Sequence, residues 1–148
     1  MPAVLVDTNV LLYFYDQNSP TKQERAGLIL AYLHQFGIGR LSVQNLSEFV
    51  NAAMHKLDPP LTVAQAYEQA SLFVSAWTIF DLTPQIVLEA SRGVRDHRLS
   101  YYDAQIWAAA RLNQVTVIFS EDFQDGQVME GVRFVNPFMD GFNLEEWS

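Results

Sequence analysis

The sequence predicts a single α/β domain in which a mainly parallel sheet of about five strands is covered by helices on both faces. Short apolar segments alternate with longer amphipathic segments from one end of the chain to the other. No repeat, linker or low-complexity tract interrupts this alternation. A chain of 148 residues with 49% hydrophobic composition is sufficient for one core. We therefore treat residues 1–148 as one domain.

The predicted strands are short apolar or β-branched runs that end at turn residues. Residues 3–6 form a continuous apolar run that stops at Asp7, as expected of a central strand buried on both faces. Residues 115–119 are rich in β-branched side chains, which favour strands. The other predicted strands are residues 38–41, 77–82 and 132–135.

The predicted helices have recognisable ends. Gly37 is the expected stop of a helix over 21–36, and prolines at 59 and 60 break a helix over 43–57. Thr62 is the expected cap of a helix that runs to about residue 76. Thr83 followed by Pro84 predicts the start of a helix over 85–95, and a further helix covers 101–112.

Composition excludes several classes of function. The chain has no cysteine, so a disulfide framework, a thiolate zinc site and a cysteine nucleophile are ruled out. No apolar run has the length of a signal peptide or a membrane span, so we expect a cytoplasmic protein without a membrane partner. The net charge of −8 argues against a general nucleic-acid coat, although it is compatible with a nuclease whose acids surround metal.

Two acidic residues follow predicted strands directly. Asp7 ends the first strand, and Asp122 follows the strand over 115–119 by three residues. In parallel α/β folds the carboxyl ends of the strands meet at one edge, where ligands bind. The alternative for each acid alone is an ordinary turn or cap role.

Two further acids lie in predicted helices. Asp103 shares a helical face with apolar residues at positions 106, 107 and 110, where a carboxylate needs a cation or hydrogen bonds; the alternative is a capping box with Ser100. Glu48 points away from the apolar stripe of its helix, so periodicity favours a solvated surface glutamate. It would meet a ligand only if the opposite side of that helix borders a cleft.

Four segments in order resemble the PIN domain, specifically VapC-type toxin ribonucleases of bacterial toxin–antitoxin systems. They are residues 6–11 (VDTNVL), 42–49 (SVQNLSEF), 99–110 (LSYYDAQIWAAA) and 120–126 (SEDFQDG), with 132–138 (VRFVNPF) closing the match. The resemblance spans nearly the whole chain and implies a three-layer α/β/α PIN-like fold. It also implies a metal-dependent endoribonuclease whose acidic quartet is Asp7, Glu48, Asp103 and Asp122.

The implied cofactor is Mg²⁺ or Mn²⁺, because an all-oxygen site suits these ions. Such a cation lowers the pKa of a water nucleophile and offsets charge in the transition state. In this hypothesis Asp7 is the central ligand, Asp103 and Asp122 complete the site, and Glu48 ligates or orients the attacking water. The residues expected to hold the carboxylates in place are Thr8, Asn9, Ser120 and Asp125. Glu121 and Asp125 flank Asp122 and leave open which acid there touches metal.

The expected partners are RNA, an antitoxin and a second copy of the chain. Arg92, Arg95 and Arg98, beside His97, form the dense basic cluster and are candidates for RNA binding; the alternative is a solvated helix face. The resemblance implies a homodimer silenced by a small antitoxin. Leu33, Phe36 and Met54 are candidates for an apolar groove that receives it, with plain core packing as the alternative.

Two competing functions are set against this one. A phosphatase or receiver-type domain with Asp7 as nucleophile is disfavoured, because the motif lacks a second Asp two residues on and no lysine ends a late strand. A degenerate PIN domain that binds RNA or protein without catalysis is disfavoured because all four acids are present.

Overall fold

The computed structural model describes residues 1–147, and in this range the chain forms a three-layer α/β structure. Its strands and helices alternate for most of the sequence, which is why the sheet is mainly parallel. The elements are β1 (Val4–Val6), α1 (Thr8–Tyr13), α2 (Pro20–Gln35), β2 (Gly39–Ser42), α3 (Val43–His55), α4 (Val63–Ala76), β3 (Thr78–Phe80), α5 (Pro84–His97), α6 (Tyr101–Leu112), β4 (Val117–Phe119), β5 (Val128–Met129), β6 (Val132–Val135) and a 3-10 helix (Leu144–Trp147).

The sheet has the strand order β3-β2-β1-β4-β6-β5, and its first five strands are parallel. β1 lies between β2 and β4, with Val6 opposite Phe119. The mainly parallel fold is thus confirmed, but the sheet has six strands rather than about five. The additional strand, β5, is two residues long and antiparallel to β6. A strand of two residues is too short to show a period in the sequence.

The core lies on both faces of the sheet, as the alternation along β1 shows. Val4 and Val6 face one apolar cluster with side chains from α1, α2 and α3, and Leu5 faces a second cluster with side chains from α5 and α6. All three residues are fully buried. This arrangement gives the three layers that the sequence predicted.

Helix α1 was not predicted. It begins directly after β1, with Asp7 as its N-cap, and is only six residues long. A helix of this length offers too few turns for a periodic pattern, and most of its stability comes from packing rather than propensity. Val10 and Leu11 are fully buried and supply that packing.

The remaining boundaries differ from the predicted ones by a few residues. α3 ends at His55 instead of residue 57, and α5 continues to His97 instead of 95. β4 begins at Val117 instead of 115, because the backbone N–H of Val115 bonds to the Ala110 carbonyl at 2.9 Å and belongs to the turn that ends α6. No helix within residues 1–147 is both long enough and apolar enough to cross a bilayer.

Candidate active site

The site lies where β1 and β4 end side by side. Asp7 follows β1 and Ser120 follows β4, and the backbone N–H of Asp7 bonds to the Phe119 carbonyl at 2.9 Å. The Ser120 hydroxyl donates to Asp7 Oδ2 at 2.7 Å. Both side chains are buried, with Asp7 3% exposed. The convergence of strand ends therefore places Asp7 at the bottom of the site.

Burial changes the acid–base behaviour of Asp7. Desolvation raises its pKa to about 7, and the nearby charges of Asp122 and Glu48 act in the same direction. Hydrogen bonds from the Ser120 hydroxyl and the Thr8 backbone N–H oppose the increase. The pKa remains high because these two donors do not replace the lost hydration.

Asn9 joins Asp7 to Asp122. Its Nδ2 donates to Asp122 Oδ2 at 3.1 Å, to the Ser120 hydroxyl at 3.3 Å and to Asp7 Oδ2 at 3.5 Å. The Ser120 hydroxyl in turn accepts from the Asp122 backbone N–H at 3.1 Å. Asn9 and Ser120 thus hold the carboxylates of Asp7 and Asp122 next to each other.

Glu48 is half-buried and accepts two hydrogen bonds, so it is not the solvated surface residue that periodicity favoured. Thr8 Oγ1 donates to its Oε2 at 3.0 Å, and Gln44 Nε2 donates to its Oε1 at 2.8 Å. Gln44 is itself buried and accepts at 2.8 Å from Gln105 on α6. The side of α3 opposite its apolar stripe therefore packs in a polar seam against α1 and α6. Hydrophobic periodicity did not predict this seam, because such periodicity detects only apolar contacts.

Asp103 lies beside this seam without a bond of its own. Gln44 Nε2, which donates to Glu48, also donates to the Tyr102 carbonyl at 3.0 Å, so the first turn of α6 adjoins Glu48. Ser100 makes no side-chain capping hydrogen bond, which removes the capping-box alternative. Asp103 is half-buried, and within residues 1–147 its carboxylate makes no hydrogen bond or ion pair.

The donor set of the site fits a hard divalent cation. Every candidate ligand is a carboxylate or amide oxygen, which Mg²⁺ and Mn²⁺ prefer. Asn9 Oδ1 is buried and accepts no hydrogen bond from residues 1–147, and Asp7 bears the cost of a buried charge. A cation would relieve both costs. In the described part of the chain, however, no three His, Asp or Glu side chains are already grouped as a metal site.

The three acids of the β4–β5 loop have different partners. Asp122 contacts Asn9 of the site, as described. Glu121 accepts from Tyr13 and from Lys22, and Asp125 accepts from the Asn136 backbone N–H at 2.8 Å. Asp125 was expected to hold the acidic quartet in place, but its carboxylate accepts from the backbone N–H of Asn136 and contacts none of the quartet by a hydrogen bond within residues 1–147. Asp122 is thus the loop acid that lies next to Asp7.

The basic cluster is largely paired within the chain. Arg92 forms ion pairs with Glu89, Asp96 and Glu130, and Arg95 bonds to Asp96 at 2.7 Å. The hydrogen bond from Arg92 is the main cause that lowers the pKa of Glu130 to about 2. Arg98 is exposed, and its side chain makes no hydrogen bond or ion pair within residues 1–147. Arg98 precedes the first turn of α6, which carries Asp103.

Of the three groove candidates, Leu33 is plain core. It lies on α2 and is fully buried, and Met54 is half-buried, whereas Phe36 is 41% exposed. A separate apolar groove of about 310 Å³ lies between α2 and α4. Its lining includes Phe14, Leu30, Leu72, Phe73 and Trp77.

The chain belongs to the PIN domain family, whose model matches residues 4–124. No curated protein sequence matches the chain. Solved structures share its fold at low identity. A toxin–antitoxin complex from Klebsiella pneumoniae aligns with a TM-score of 0.66 at 18% identity, covering 92% of this chain and 98% of that one.

Two further structures are similar. Mycobacterium tuberculosis VapC20, described as a sarcin–ricin loop cleaving toxin, has a TM-score of 0.62 at 16% identity and covers 86% of this chain and 98% of its own. DNA-bound VapBC from Salmonella typhimurium has a TM-score of 0.62 at 17% identity, with 90% and 97% covered. These likenesses confirm the PIN fold that the sequence motifs predicted.

Proposed function

We propose that the chain is a divalent-metal-dependent endoribonuclease and the toxin of a type II toxin–antitoxin pair. The observation that carries the proposal is the buried Asp7, tied by Asn9 and Ser120 to Asp122 and by Thr8 to Glu48. A buried carboxylate such as Asp7, with a second carboxylate held beside it, is costly unless a cation compensates the charge. Membership of the PIN family and likeness to toxin structures support the same activity.

Each acid has a proposed role. Asp7, Asp103 and Asp122 would hold Mg²⁺ or Mn²⁺, and Glu48 would ligate it or orient the attacking water. When bound, the cation supplies positive charge that lowers the pKa of water and offsets the charge of the reacting phosphate. Thr8 keeps Glu48 in place, while Asn9 and Ser120 keep Asp7 and Asp122 in one arrangement.

The proposed partners follow from the similar structures. VapBC and the Klebsiella complex contain a toxin with its antitoxin, which supports an antitoxin partner for this chain. The α2–α4 groove is apolar and open, as a surface for such a partner would be. We also propose a homodimer, which the elution volume of the purified chain would test.

RNA cleavage tests the proposed function. We expect the wild type to cleave single-stranded RNA in the presence of Mn²⁺, and EDTA to stop cleavage. Asp7→Asn should abolish the activity, because it removes the central charged ligand, while the circular dichroism spectrum stays unchanged. An undiminished rate in this variant would refute the proposed role of Asp7.

A PIN domain without catalysis is the second candidate, and one observation favours it. The acids within residues 1–147 are not grouped as a ready metal site. In this case the chain would bind RNA or a protein without cutting RNA. RNA binding by the wild type with no cleavage at any Mn²⁺ concentration would support this candidate.

A further inference from the structure

Three side chains outside the acidic quartet form a cluster beside it. Tyr13 at the end of α1 donates to Glu121 Oε1 in the β4–β5 loop. Lys22 on α2 donates to Glu121 Oε2 at 2.9 Å and to the Tyr13 oxygen at 3.2 Å. We refer to Tyr13, Lys22 and Glu121 as the Glu121 clamp. Both carboxylate oxygens of Glu121 are thus occupied by donors.

The clamp matters because Glu121 immediately precedes Asp122. A glutamate at this position has a longer side chain than Asp122 and the same charge, so a free Glu121 would compete with Asp122 for a cation. The clamp removes this competitor by binding both of its oxygens. Asp122 is left with Asn9 as its side-chain partner at the site.

Helix α1 connects the clamp to the site. Asn9 and Tyr13 are four residues apart on this helix, so their side chains lie on the same face. Asn9 bonds to Asp122 and Tyr13 bonds to Glu121, so α1 holds two successive residues of the loop. The Tyr13 ring packs edge-on against Phe138 at 4.9 Å, and Lys22 Nζ lies 4.7 Å from the Tyr13 ring centre. These contacts fix the position of both donors.

We propose that Tyr13 and Lys22 are positioning residues that bind Glu121 and thereby make Asp122 the loop acid that holds the catalytic cation. This inference rests on the proposed function and extends it to residues outside the quartet. Lys22 acts through Glu121 and not by contact with RNA. The three residues of the clamp lie on α1, α2 and the β4–β5 loop, and their hydrogen bonds join these elements beside the site.

The affinity for Mn²⁺ in variants of unchanged net charge tests the clamp. Tyr13→Phe removes one donor and keeps the ring, and the double variant Lys22→Met with Glu121→Gln removes the ion pair without changing the summed charge. We expect Tyr13→Phe to bind Mn²⁺ about tenfold more weakly, as is typical when a partner that orients a ligand is lost. The double variant should bind Mn²⁺ like the wild type, because Glu121→Gln removes the competing carboxylate together with its partner. Lys22→Arg should retain the wild-type affinity, because it restores the ion pair.

Tyr15→Phe is the matched control. Tyr15 lies two residues from Tyr13, but its hydroxyl donates to Gln69 on α4 at 2.6 Å, away from the loop. It should bind Mn²⁺ like the wild type. Tyr13→Phe is nearly isosteric, so it keeps the test valid if the double variant does not fold.

The Mn²⁺ affinities of the wild type and the variants distinguish failure of the proposed function from failure of the clamp proposal. If the wild type binds no Mn²⁺, the proposed function itself fails. If the wild type binds Mn²⁺ and the affinity of Tyr13→Phe is within twofold of the wild-type value, the clamp proposal alone is overturned. An affinity about tenfold weaker in the double variant would overturn it as well. It is also overturned if the double variant keeps its Mn²⁺ affinity but shows a higher KM for RNA and a smaller salt dependence, since Lys22 would then be a phosphate contact.

Discussion

Asp7 combines two properties that normally oppose each other. It is almost fully buried, and it is expected to be charged when it binds a cation. Without a cation, burial raises its pKa from 3.8 to about 7, so the protonated form is favoured over most of the acidic range. Cation binding and proton binding at Asp7 therefore compete near neutral pH.

The stability of the metal-free protein should depend on the protonation of Asp7. Because the folded-state pKa of Asp7 is above its unfolded value of 3.8, the folded state binds the proton more tightly. The resulting stabilisation is fully present below pH 3.8 and is lost as pH rises through about 7. Relative to Asp7→Asn, the wild type should lose up to about 4 kcal/mol of unfolding free energy between pH 4 and pH 8.

Urea unfolding in EDTA at several pH values measures this effect. The difference between wild type and Asp7→Asn isolates Asp7, because all other titrating groups are shared. Parallel pH profiles for the two proteins would show that Asp7 has an ordinary pKa in the folded state.

At the scale of elements, α5 and α6 pack so closely that one glycine is required between them. A Cβ on Gly93 would lie 2.8 Å and 2.9 Å from ring carbons of Trp107. Trp107 is fully buried and donates from Nε1 to the Met129 carbonyl at 3.2 Å, so its ring has little room to move. Asp103 lies in the first turn of α6, so the packing of α5 against α6 also positions Asp103.

Gly93→Ala should therefore lower the free energy of unfolding by about 1–3 kcal/mol, the usual cost of overpacking. Gly27→Ala on α2 is the matched control, because its Cβ would meet nothing within 4 Å. In a helix interior this change is expected to be stabilising by about 0.5–1 kcal/mol. Equal effects of the two substitutions on denaturant unfolding would contradict the packing described for α5 and α6.

The residues of the site that could be predicted from the sequence are those at the ends of strands. Asp7 and Ser120 meet because parallel strands end at one edge, and both ends are visible in the sequence as apolar runs that stop. Glu48 was predicted only through the family resemblance. Its hydrogen bonds are to Thr8 and Gln44, and such polar contacts produce no hydrophobic periodicity in the sequence. The clamp was not predictable, because Lys22 and Glu121 are 99 residues apart and are joined only by the fold.

Across the whole molecule, the charge distribution limits how the proposed RNA substrate could be held. The net charge is −8, and two of the three arginines of the basic cluster are paired with acids of the same chain. Within residues 1–147 Arg98 is the arginine of that cluster whose side chain has no partner, and its φ of 58° lies in the left-handed region that favours glycine. We therefore expect RNA affinity to be modest and Arg98 to contribute to it.

Arg98→Gly tests this expectation without disturbing the fold, because glycine suits the backbone conformation. We expect weaker RNA binding and a salt slope smaller by about 0.7–1, the value for one lost phosphate contact. Arg95→Ala is the control, because Arg95 is already bonded to Asp96. The role of Arg98 would be refuted if both variants lost RNA affinity equally or if neither did.

The central claim is that the acids at the strand ends form a divalent-cation site organised around Asp7. Calorimetric titration of the metal-free protein with Mn²⁺ at pH 7 measures this directly. We expect saturable binding with release of about half a proton per protein, because a group with a pKa of about 7 is half protonated at pH 7 without metal. We also expect Asp7→Asn to lose this binding. Absence of Mn²⁺ binding in the wild type, or equal binding in Asp7→Asn, would contradict the claim.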